Sequence, residues 1–323
     1  MGIFLAHVAR ATLEERAMGG EAPAQFELGR VFQLGLGVPV DATRAAFWYR
    51  KASEQGFASA QYALGLMCAI GEGVPKSSAE SLKWLQQAAR QSHARAQTCL
   101  GSIYELGSGV TMDKAEAAKW YRRAAEKGDP NGQYALGQML GQGDVMSANP
   151  TEAASWFRKA AEQGFAPAQS RLGSLYFSGT GVAKDTAEAI RWFRQAAEQG
   201  FAPAQYNLGL MYAFGDPTLP ADPAQAVQWW RKAATRGDAD AQFNLGVMYL
   251  NGEGVANDPV EGLAWTMVAA ASGNENFIRK RDQLIFQLRA NAVAAAQERS
   301  QQLGHESPVQ ASRPSEFVRP DRP

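Results

Sequence analysis

The chain has little of what chemistry at a single centre requires. Among its 323 residues are two cysteines and three histidines. Cys68 and Cys99 stand at unrelated offsets, which excludes a disulfide framework and suits a reducing compartment. His7, His93 and His305 are far apart, and the chain has no His-Glu-x-x-His, Cys-x-x-Cys or P-loop segment. No catalytic centre, metal or cofactor is expected. Charge of one sign is also lacking: 32 basic residues balance 32 acidic ones, so no general field draws the chain to nucleic acid or acidic lipid. The single compact basic run, Arg279-Lys280-Arg281, reads as a solvated helix face. No stretch approaches the roughly 20 apolar residues of a membrane helix. The amino-terminal run Met1 to His7 is too short for a signal peptide and has no basic leader. The expected compartment is the cytoplasm; a start codon further upstream would instead admit a bacterial periplasm.

What the chain has is a period. Trp48, Trp84, Trp120, Trp156, Trp192, Trp229 and Trp265 are spaced 36, 36, 36, 36, 37 and 36 residues apart. A Leu-Gly pair runs in phase with them, from Leu28-Gly29 to Leu245-Gly246. Two residue types held in register mean one small unit copied and stacked, which builds an extended binding surface in place of one enclosed cleft.

Each unit reads as a helix–turn–helix. In the third, Ala96, Leu100, Ile103 and Tyr104 form one helical stripe. Gly101 beside it is costly within a helix, so another backbone is expected to pass close. A turn follows at Gly107-Ser108-Gly109-Val110. The second helix opens on Asp41, Ser77, Asp113, Asn149, Asp185, Asp222 or Asp258. Each is a good N-cap, with Glu or Gln three residues later completing a capping box in every unit but the first, where Arg44 stands. The Trp is then expected in the core, with a small Ala four residues on. Loops absorb the irregularities. Unit four reaches its glycines, Gly141 and Gly143, two residues early, and unit six carries one extra residue between Asp216 and Pro220.

These patterns divide the chain into an amino-terminal half-unit or cap (1–21), seven repeats with about fourteen helices (22–273), capping helices (274–303) and a proline-containing disordered tail (304–323). The seventh unit departs from the others after its Trp, at Thr266-Met267-Val268, which suggests an unusual neighbour in the cap.

Ala204-Gln205-Tyr206-Asn207-Leu208-Gly209 and Trp120-Tyr121-Arg122-Arg123-Ala124-Ala125, with the Gly-x-Gly-Val turns between such segments, resemble the Sel1-like repeat. The resemblance covers about four-fifths of the chain. It implies an all-α, right-handed α-solenoid related to the tetratricopeptide repeats, with the first helix of each pair lining the concave side. It also implies a non-catalytic adaptor or scaffold whose partner is a protein or peptide. The alternative is a structural or envelope-assembly component, at a bacterial surface or associated with secretion, that binds through its convex face or termini. The repeat motif encodes architecture and does not choose between them.

Three offsets of the first helix vary while the stripe holds, and they share a face. That face carries Glu27, Arg30 and Leu34 in unit one, Ala63, Leu66 and Ile70 in unit two, and Cys99, Ser102 and Leu106 in unit three. Under the resemblance it lines the groove. Arg171, Asn207 and Asn244 occupy one equivalent position and are the candidate partner-binding polar row, with Leu210, Phe214, Val247 and Asn251 beside them. A second reading makes the asparagines bridges between helices. Leu66, Ile70 and Leu106 read as edge-of-core residues, and Cys99 as a small buried one.

Overall fold

A computed structural model describes residues 11–143, 147–216 and 219–306. Among these the chain is an all-α solenoid, without a β-strand. A helical stretch, α1 (11–18), comes first. Seven hairpins follow. Their first helices are α2 (Ala22–Leu34), α4 (Ala58–Ile70), α6 (Ala94–Leu106), α8 (Pro130–Gln142), α10 (Ala166–Ser178), α12 (Ala202–Phe214) and α14 (Ala239–Asn251). Their second helices are α3 (Ala42–Glu54), α5 (Ser78–Arg90), α7 (Lys114–Glu126), α9 (Pro150–Glu162), α11 (Thr186–Glu198), α13 (Pro223–Ala234) and α15 (Pro259–Ala270). Two more helices, α16 (Glu275–Gln287) and α17 (Ala290–Glu306), close the described chain. The fold divides into two compact units, residues 1–160 and 161–323.

The second helices start where the sequence places them. Ser77 accepts from the Glu80 amide, and Asp113, Asp185 and Asp258 accept from the amides of Glu116, Glu188 and Glu261. The reciprocal half of the capping box is replaced. The N-cap amides are given to carbonyls of the preceding first helix, as Asp113 N to Tyr104 O and Asp185 N to Tyr176 O. The carboxylate turns instead to the Trp four residues on. Trp84, Trp192 and Trp265 donate their indole N–H groups to Glu80, Glu188 and Glu261, each at 3.1 Å. This bond satisfies the polar edge of a ring whose body lies against the core.

The Trp comb divides: Trp84, Trp156, Trp192 and Trp265 are buried as expected, while Trp48, Trp120 and Trp229 are half-buried. The residue after each Trp is the one fully enclosed. Tyr49, Leu85, Tyr121, Phe157, Phe193, Trp230 and Thr266 are all 3% exposed or less. This resolves the helical glycine differently from the expectation of a passing backbone. A Cβ on Gly101 would stand 2.5 Å from the Tyr121 ring, and one on Gly173 would stand 2.9 Å from Phe193. The glycine is a seat for a side chain. Only in unit seven does backbone come close: a Cβ on Gly246 would stand 2.8 Å from the Gly262 carbonyl oxygen, beside the small Thr266. Thr266 thus answers to its own hairpin partner, while Met267 and Val268 share an apolar cluster with Leu284, Ala296 and Leu303 of the closing helices, the unusual neighbour expected.

The stacking of hairpins rests on a glutamine to which the sequence reading gave no role. Gln25, Gln61, Gln97 and Gln133 in the first unit of the fold are buried. Their side-chain amides donate to the carbonyls of Ala17, Ser53, Ala89 and Ala125, at 3.1–3.2 Å. In the second unit Gln169, Gln205 and Gln242 do the same with Ala161, Ala197 and Ala234. Each first helix is thereby stitched to the preceding second helix. At the amino terminus α1 supplies the Ala17 carbonyl, the acceptor that a preceding second helix supplies in the later repeats. A second glutamine, one turn of the ladder later, donates back to the first: Gln55 to Gln25, Gln91 to Gln61 and Gln199 to Gln169.

Three details differ from the sequence reading. Gly143 is in phase as the left-handed cap of α8, while Gly141 is an ordinary helical residue, so the glycine pair is not displaced. The cap runs past 303: α17 continues to Glu306, held down by Leu303 at 2% exposure. His7, the half-unit's residues 7–10 and the tail from 307 onward lie outside the described residues.

Candidate interaction groove

Within the first unit of the fold, α2, α4, α6 and the start of α8 leave a groove of about 760 Å³. The offsets that vary along the first helices create it. Among the side chains at these offsets in the first unit of the fold, Leu34, Leu66, Ile70 and Leu106 stay exposed, while Ala63 and Cys99 are half-buried. Leu34, Leu66 and Ile70 line one part and are 56%, 38% and 68% exposed. The expectation of an edge-of-core role for Leu66, Ile70 and Leu106 is thus overturned, since Leu106 too is 71% exposed. Three large apolar side chains open to solvent along one groove form a patch of the sort that marks an interaction site. Tyr49 forms part of the wall. Burial pushes its phenol up to about 12, so it stays neutral and donates to Gln33 Oε1 at 2.8 Å.

The other end of the groove is polar. His93 stacks on Tyr62 with ring centroids 4.8 Å apart, and its Nδ1 accepts from the Ala96 amide at the start of α6. Burial, and then the Arg95 guanidinium, lowers the His93 pKa. Asp129 caps α8: one carboxylate oxygen accepts from the Gly132 amide at 2.9 Å and from Thr98 Oγ1 at 2.7 Å. Arg95 and Lys127 stand exposed on the rim, and neither enters an ion pair among the described residues. Cys99 is half-buried, and burial followed by the Asp129 charge raises its thiol pKa. It stays a protonated packing residue.

The candidate row of the second unit of the fold is less open than its sequence implies. Asn207 and Leu210 are buried, at 9% and 7% exposure, Leu210 within the apolar cluster that contains Trp230. Arg171, Asn244 and Val247 are half-buried, while Phe214 and Asn251 are exposed. Phe214 borders a small recess of about 30 Å³ with Phe177, Met211 and Leu219. The polar row stands out in the sequence because it repeats one position, although the same varied face includes Leu34, Leu66 and Ile70 of the first unit. The signal was present in Leu34, Leu66 and Ile70, apolar residues at offsets the core does not require.

The architecture is that of a tandem helical-hairpin solenoid whose first helices present a lateral groove. The Sel1 repeat model matches residues 22–57, 58–93, 94–129, 130–165, 166–201, 202–238 and 239–274, and the chain belongs to the Sel1 repeat family. A Sel1 repeat protein from Oxalobacter formigenes is similar at 34% identity and a TM-score of 0.69, over 84% of this chain and 78% of that one. A protective antigen of uropathogenic Escherichia coli with an SLR fold is 26% identical, with a TM-score of 0.39 over 92% of this chain and 94% of that one. Among curated proteins none matches. Sel1 repeat proteins generally mediate protein–protein interactions, and the scaffold is typically non-catalytic. Among the described residues no helix is long and apolar enough to cross a membrane.

Proposed function

We propose that the protein is a non-catalytic scaffold that holds a segment of a partner protein in the groove formed by α2, α4, α6 and the start of α8. The observation that carries this reading is the open apolar wall of Leu34, Leu66 and Ile70. Leaving these side chains 38–68% exposed forgoes part of the roughly 1.5–3 kcal/mol that full burial of each is worth, a cost that a partner's apolar anchors would recover on docking. The fixed hairpins on either side preorganise the wall, which limits the entropy lost when a segment binds. In the second unit of the fold, the row beginning at Arg171 contributes through its exposed members, Phe214 and Asn251, while Asn207, Leu210, Asn244 and Val247 chiefly shape the surface beneath them.

The test is quantitative capture of partners from an extract of the native cell. Leu66→Asp with Ile70→Asp places two charges on the wall without touching the Ala–Leu stripe, so the fold is retained. The expected result is loss of the partners that the unaltered chain captures. Undiminished capture by a folded double variant would instead favour attachment through the outer helices or the termini, as in an envelope-assembly role.

A further inference from the structure

One end of the groove gathers four residues at positions that vary among the repeats. At the position filled by Gln55, Gln91, Gln163 and Gln199, unit three has Lys127, as unit six has Arg236 and unit seven Ser272. The backbone there is the same: the C-cap φ is −83° at Lys127, −86° at Gln55 and −85° at Gln91. A glutamine would fit, and its absence leaves the buried carbonyl oxygen of Gln97, on a residue 4% exposed, without a hydrogen bond. His93 stands where units two, five and six begin their first helices on Phe57, Phe165 and Phe201. Arg95 stands where the other units have Pro23, Ser59, Asn131, Pro167, Pro203 and Asp240, and Asp129 is the cap one repeat after His93, as Asp238 is in unit seven. His93, Arg95, Lys127 and Asp129 line the same end of the same groove. Positions that the fold leaves free to vary are thus filled there by two cations, a histidine and a carboxylate.

The charges there are unequal in availability. The Asp129 carboxylate is committed to the α8 amide and to Thr98, on a residue 5% exposed. Arg95 and Lys127 are exposed and enter no ion pair among the described residues. At the opposite end Arg30 is neutralised by Glu27 at 3.0 Å, with Glu72 nearby in the lining. The groove therefore has an apolar wall and one end where two exposed cations outnumber the buried Asp129 carboxylate.

We infer that the partner segment carries apolar residues followed by carboxylate side chains, the apolar residues lying on Leu34, Leu66 and Ile70 and the carboxylates paired with Arg95 and Lys127. This rests on the groove reading and specifies the partner's chemistry. A guanidinium grips a carboxylate with paired N–H groups, and an ammonium adds a point charge beside it. Both cations are accessible, so the pairing contributes selectivity and a salt-dependent association more than raw affinity.

The experiment uses the full chain and three sets of short immobilised synthetic peptides. Each set carries two leucines followed by a run of glutamates, glutamines or lysines. The expected result is retention of the glutamate set about tenfold more tightly than the glutamine set, with the lysine set weakest and the preference shrinking as salt is raised. Arg95→Gln with Lys127→Gln should bring the glutamate set down to the level of the glutamine set. Leu66→Asp should weaken all three. Equal retention of the glutamate and glutamine sets, or preference for lysine, overturns the charge inference, and the groove reading survives if Leu66→Asp still abolishes retention. Retention that Leu66→Asp leaves unchanged, or no retention of any set, overturns the groove reading itself.

Discussion

In the first six hairpins the aromatic or aliphatic side chain after the Trp, more than the Trp itself, locks the two helices together. Phe193 is 0% exposed and lies over Gly173, whereas Trp229 is half-buried at the surface of its hairpin. Phe193→Ala should therefore cost about 3–5 kcal/mol in denaturant unfolding, and Trp229→Ala clearly less. The reverse order would restore the indole comb as the core. His93 supplies a second prediction at this scale. Its pKa is lowered in the folded chain by burial and then by Arg95, so the unfolded chain binds more protons at this site as pH falls. The contribution is intact above the ordinary histidine value of about 6.5 and is lost progressively below it. Units two, five and six begin the equivalent helices on Phe without a side-chain cap bond. His93→Phe should therefore narrow the gap in unfolding midpoint between about pH 7.5 and about pH 5.5, and an unchanged gap would show that His93 does not sense the change.

At the scale of the element, glutamine does what a hydrophobic stripe cannot. Burying apolar faces lets helices slide, while a side-chain amide bound to one particular carbonyl fixes which turn meets which. The pattern was written in the sequence, since a Gln follows the stripe's alanine in unit after unit. Without coordinates it read as one more motif residue, because a buried polar group's partner lies in a different helix and cannot be counted from its neighbours. Helix starts were legible for the opposite reason: an N-cap and its target amide are three residues apart. Where the ladder lacks its second glutamine, stability can be added. Lys127→Gln should give Gln97 its missing donor and raise unfolding free energy by about 0.5–1.5 kcal/mol. A neutral or destabilising result would mean that the Gln97 carbonyl is already satisfied when Lys127 is present. If the variant also loses its preference for acidic peptides, the lysine is a case of stability yielded to binding.

At the scale of the whole molecule, the period of 36 residues announced the seven hairpins and their class before any coordinate was known. Periodicity reports what every unit shares, and what every unit shares is packing. A partner is sought where units differ, and there the sequence singles out the asparagines of the second unit of the fold without giving their exposure. Asn207 is conspicuous in sequence but buried; Ile70 is an ordinary apolar residue in sequence but 68% exposed. Exposure depends on which face the neighbouring hairpins cover, and that is a property of stacking rather than of composition. The first unit of the fold is accordingly where a partner is expected.

The central claim can be tested with a photo-activated cross-linking residue placed either at Ile70, on the groove wall, or at Phe47 on α3. Phe47 is 52% exposed and is not among the groove's lining residues. In the native cell the account predicts a discrete protein adduct from position 70 and none from position 47. Adducts from position 47 alone would contradict it.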